Sequence, residues 1–128
     1  MADLITPAPA LAVVVKLLTP LLAPVPVKTR MPKTRPPTIV LVDRAGGVMS
    51  NKVTDRPMLI FECWAPDEPA AEQLSDRLRA LLRVHRFSSV DGVRLLGWEE
   101  AGCAHFDDPD VTTQSRWQVT GSLGIAAR

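Results

Sequence analysis

The sequence predicts an α+β fold: a mostly antiparallel β-sheet with two α-helices packed on one face. Three observations predict it. Two segments repeat apolar residues at helical spacing, five further apolar runs are bounded by turn formers, and the last run alternates strictly, as a half-buried antiparallel strand does. The chain has 128 residues and reads as one domain (1–128) with a modest core.

The first apolar segment is "LITPAPALAVVVKLLTPLLAPVPV". A signal peptide or membrane span is a poor fit. Asp3 stands where a basic start belongs, Lys16 would lie in mid-span, and Pro7, Pro9, Pro20, Pro24 and Pro26 interrupt the run. A helix over about Pro9 to Thr19 is expected instead, with proline near its first turn and Pro20 ending or kinking it. Leu11, Val14 or Val15, Leu18 and Leu22 form the face toward the sheet. Val13, Leu17 and Leu21 make its other sides apolar as well, so a partner subunit is expected to cover them.

Strands follow over about Val25 to Thr29, Thr38 to Arg44 and Val53 to Trp64. In the third, Leu59, Phe61 and Cys63 oppose Met58, Ile60 and Trp64, so both of its faces are apolar. One face can lie under the helices while Met58 and Ile60 meet something else. Between the second and third strands, Gly46 and Gly47 supply the positive φ angles of a turn. A phosphate-binding loop is a poor fit there: Lys52 lacks the second glycine before it and a helix after it. Asp55 and Arg56 are expected to make ionic contacts within or between subunits, and Pro57 marks an edge or a bulge.

The second helix is the clearest element. Asp67 is its N-cap, Pro69 lies in its first turn, and Leu74, Leu78, Leu81 and Leu82 share one buried face. Glu72, Asp76, Arg79 and Arg83 look outward, and His85 supplies a charge favourable to the helix end. Strands over about Val93 to Glu100 and Ser115 to Ala127 complete the chain. In the last, Trp117, Val119, Gly121, Leu123 and Ile125 share the buried side.

No catalytic constellation emerges. The stretch "CAHFDDPD" gathers Cys103, His105, Asp107, Asp108 and Asp110 without ligand spacing and reads as an acidic loop. No serine sits in a G-x-S-x-G elbow. Cys63 and Cys103 form no C-x-x-C pair and fit a reducing compartment. The net charge of +1 gives no bulk attraction to nucleic acid or membrane. A local basic cluster does exist: Lys28, Arg30, Lys33 and Arg35, joined by Arg44, Lys52 and Arg56, read equally as a solvated basic loop and as a surface for phosphates or an acidic partner without sequence readout.

The order of "VVVKLLTPLL", "VPVKTRMPKTRPPTIVLVDRAGG", "NKVTDRPMLIFECWAPDEPAAEQLSDRLRALL" and "SRWQVTGSLGIAAR" resembles the tail terminator (tail completion) proteins of long-tailed bacteriophages, especially actinobacterial ones. The most specific part is a strand, R-x-G-G, V-T-D-R-P, a strand ending in W-A, and then a helix. The resemblance implies a structural virion protein at the tail-neck junction, with neither enzyme activity nor a cofactor. It implies a homo-oligomeric ring, a hexamer, that caps the tail tube protein and offers a surface to the head-tail connector. Val13, Leu17, Leu21, Met58, Ile60, Asp55 and Arg56 then become subunit-interface candidates. Lys28, Arg30, Lys33 and Arg35 become candidates for lining a channel through which DNA passes. A neck protein of the same virion and an unrelated small enzyme are the alternatives.

Overall fold

The computed structural model describes residues 4–127, so Asp3 lies outside it. In chain order the elements are α1 (Ala10–Leu22), β1 (Val27–Lys28), β2 (Ile39–Asn51), β3 (Thr54–Ala65), α2 (Glu68–Val84), β4 (Ser89–Val90), β5 (Val93–His105) and β6 (Ser115–Ala126). The strands form one curled sheet in the order β1-β2-β3-β6-β5-β4, in which only β1 and β2 run parallel. Both helices cover the same face, as the α+β assignment requires.

Apolar alternation builds the core under the helices. Val40 and Val42 of β2, Leu59, Phe61 and Cys63 of β3, and Val119, Leu123 and Ile125 of β6 are buried there against both helices. On α2, the Asp67 carboxylate accepts the Ala70 N–H at 2.9 Å, and Leu74, Leu78 and Leu82 are buried in one line. The opposite face of the sheet has no helix, and Met58 and Ile60 are half-buried there.

The first helix departs from expectation. It runs through Pro20 to Leu22, because Leu17, Leu18 and Leu22 are buried around the proline while Pro20 itself faces solvent. Val13 and Leu17 are buried in the chain's own core, and Leu21 is partly buried against it, so Val13 and Leu17 are no subunit-interface residues. The reason is geometric: α1 lies against β1, β2, α2 and β4 and is covered on several sides within one chain. Ala12, Lys16, Thr19 and Pro20 form its exposed side.

The second departure concerns Gly46 and Gly47. They lie inside β2, and the turn falls at Lys52 and Val53, where the Asn51 side-chain oxygen accepts the Val53 N–H at 2.9 Å. The glycines serve a bulge that places Ala45 as an extra residue between Arg44 and Gly46. At Gly47 φ is +89°, and a Cβ would lie 2.1 Å from the Arg56 carbonyl oxygen, so the backbones approach too closely for any side chain. Pro57 is buried opposite Gly47, next to this bulge. Beyond Glu100, β5 continues to His105, because two further bulges hide its alternation.

Candidate functional site

Among the interface candidates, Asp55 turns inward. It is 2% exposed and receives two bonds from Arg44, at 3.0 and 3.2 Å, while the Arg44 Nε–H donates to the Gly46 carbonyl at 2.9 Å. This pair braces the bulge within one chain and removes Asp55 from the intersubunit set. Arg56, Met58 and Ile60 stay together on the uncovered sheet face, each half-buried. Arg56 makes no ion pair among the described residues.

An exposed apolar surface lies elsewhere. From Asp43 to Asn51 every residue of β2 is exposed, and Val48 is 72% and Val53 52% exposed at the hairpin tip. Leu4 and Ile5 come alongside and line one shallow depression with Met49, Asn51 and Lys52. Leu4 is 87% exposed. Single exposed apolar residues are ordinary, but a contiguous group of them marks a contact surface. Sequence reasoning missed this group, because Val48, Met49 and Val53 carry the same apolar signature as core strand residues.

The basic segment divides in two. Lys28, Arg30 and Lys33 are exposed. Arg35 is exposed as well, but its guanidinium stacks on the Trp64 ring at 4.8 Å and donates to the Gln114 side-chain oxygen at 2.9 Å. Gln114 in turn donates to the carbonyls of Pro36 and Pro37. Arg116 also packs on Trp64, whose indole N–H donates to Glu62. Arg35 thus latches the 29–38 loop to the sheet, which leaves three cations free to face a partner.

The segment "CAHFDDPD" is strand from Cys103 to His105, then irregular, and ends in a turn at Pro109 and Asp110. Asp107 accepts from the Arg116 amide at 2.9 Å and the Ser115 hydroxyl at 2.7 Å, and it pairs with His105. Those donors, the Arg116 amide foremost, hold its carboxyl below the usual carboxylate range. Ser115, His105 and Asp107 do not make a nucleophile relay: hydroxyl and carboxylate both meet the same ring nitrogen, Nε2, whereas a relay needs opposite nitrogens. No group of three or more His, Cys, Asp or Glu among the described residues is placed to hold a metal ion.

At the far edge of the sheet, Arg79 of α2 grips Glu100 of β5 with bonds of 2.6 and 2.8 Å. That bond holds the Glu100 carboxyl below its ordinary value and pushes the guanidinium further up. Trp98, Asp76 and Arg83 line a groove beside this pair. Burial pushes the Cys63 thiol up, so it is held protonated and inert. No helix of the described residues is long and apolar enough to cross a membrane. The sequence matches no protein-family model and no curated protein.

Proposed function

We propose that this chain is a structural protein of a long-tailed phage virion, which closes into a ring, caps the tail tube to end its elongation, and presents a surface to the head-side connector. The family resemblance of the sequence supports this reading, and one observation carries it: Leu4, Ile5 and Met49 around one depression, with Val48 and Val53 exposed on the same hairpin, all of which a single chain leaves in water. Burying apolar area stabilises an assembly by about 25 cal/mol per Å². A head-to-tail contact that closes on itself makes a ring. Its partners are further copies of this chain, the tail tube protein and the connector. Lys28, Arg30 and Lys33 are exposed and suited to passing DNA through sequence-independent, salt-sensitive contacts.

The test separates assembly from folding. Leu17→Asp would only unfold the chain, because Leu17 belongs to the core. Met49→Asp and Ile60→Asp place a charge on accessible surface and should leave a folded chain that forms no ring. Phage carrying either substitution should produce tails of abnormal length. Sedimentation showing a monomer at every concentration for the unaltered chain, with normal tail lengths for both variants, overturns the proposal.

A further inference from the structure

Two edges of the sheet are unpaired over the same level. β1 covers β2 only at Val40 and Leu41, so among the described residues no strand lies outside β2 from Val42 to Asn51. At the other side, β4 and residues 86–88 cover β5 only as far as Gly97, so among the described residues no strand lies outside Trp98 to His105. The register carries levels across the sheet. Val42 aligns through Phe61 and Val119 with Cys103, and Asp43 through Ile60 and Thr120 with Gly102. Arg44 aligns through Leu59 and Gly121 with Glu100, and Gly46 through Met58 and Ser122 with Glu99. The two uncovered windows therefore overlap at matching heights on opposite edges, over Val42 to Gly47 of β2 and Trp98 to Cys103 of β5.

Folded monomers protect such edges with lysine, proline, inward charge or bulges, and of these the two edges carry bulges, at Ala45 and Ala101. Here Val42 to Gly47 on β2 and Trp98 to Cys103 on β5 carry no lysine and no proline, and their charges are of both signs: Asp43 and Arg44 on one edge, Glu99 and Glu100 on the other. We infer that β2 of one copy pairs with β5 of the next, so that subunits join head to tail into one continuous sheet. This rests on the ring reading above and specifies its interface. β2 and β5 run in opposite senses within the chain, so rotation about an axis along the strands sets the neighbour's β5 antiparallel to β2. Charge agrees with this registry. Arg44, braced by Asp55, meets Glu100, braced by Arg79, which makes one alternating row of four charges across the joint. Two different edges make the contact heterologous, the type that builds rings.

Ala45 and Ala101 are the extra residues of their bulges, both exposed, and stand at adjoining levels. Asp43 and Gly102 share one level and face each other across the joint, so in a Cys103→Ser background an equal mixture of Asp43→Cys and Gly102→Cys chains should give a disulfide-linked pair on mild oxidation, and neither chain alone should. Facing strands hold Cα atoms about 4.5–5.5 Å apart, within the span of a disulfide. Ala45→Lys and Ala101→Lys should each weaken self-association at least about tenfold in sedimentation, by setting a solvated charge on the edge. If the unaltered chain forms rings while both lysine variants sediment with it and the mixture does not cross-link, the edge pairing is wrong and the ring reading stands. A chain that stays monomeric at every concentration overturns both.

Discussion

The two parts of β2 share one strand and two environments. Ile39, Val40 and Val42 are buried, whereas every residue from Asp43 to Asn51 is exposed. Both parts pair with β3, yet only the first helps to bury the core. β3 itself stays buried along the second part, at Thr54, Asp55 and Pro57, because β6 flanks it on the other side. A strand can thus be held by ladder bonds and one ion pair, Arg44 with Asp55, without burying its own side chains. The first part of β2 makes the fold, and the second is free to present backbone and apolar side chains to another molecule.

The sharpest way to break this comparison is to truncate one side chain from each environment. Phe61→Ala, in the core opposite Val42, should cost about 3–5 kcal/mol in chemical denaturation. Val48→Ala, on the exposed part, should stay within about 0.5 kcal/mol. Similar losses for the two would mean that the exposed part is packed after all.

A smaller effect is expected at the glycines. Gly47→Val should lose about 2 kcal/mol or more, because the new Cβ meets the Arg56 carbonyl and φ is +89°. At Gly46 φ is +140° but nothing lies within 4 Å of a new Cβ, so Gly46→Ala should lose only about 1 kcal/mol. Thermal melts with the reverse order would remove the close-approach argument.

The smallest effect lies at the opposite edge. Arg79 holds Glu100 below its unfolded pKa, so their pair contributes fully above about pH 4.3 and fades as pH falls through the depressed folded value. Glu100→Gln should therefore flatten the acid side of the stability curve below about pH 4.3 and leave its shape near neutrality unchanged. Parallel curves for the two proteins would show that the pair contributes nothing.

Elements with a local physical signature were legible in the sequence. Asp67, Pro69 and the leucine row specify α2, and the alternation from Trp117 to Ile125 specifies β6. The two-sided apolar character of β3 also holds, with Phe61 in the core and Ile60 on the uncovered face. What depended on distant residues was not legible. Positive φ at glycine serves a turn and a bulge equally, so Gly46 and Gly47 hid the true length of β2. An all-round apolar helix calls for cover, but nothing local says that β1, β2, α2 and β4 of the same chain supply it. Arg35 looks like its basic neighbours until Trp64 and Gln114 arrive from elsewhere in the chain.

The bulges carry a geometric consequence of their own. β2 has two register shifts against β3, and β5 has two against β6, while β3 and β6 keep one register throughout. Each outer strand therefore has two more residues than the inner strand it follows, a surplus of contour of about 3.3 Å per residue before the bulges fold it away. A surface whose margins are longer than its middle cannot lie flat; it bends into a saddle, as the edge of a leaf does when it outgrows the midrib. The surplus is the same on both margins, so two such sheets can be joined seam to seam without either one stretching.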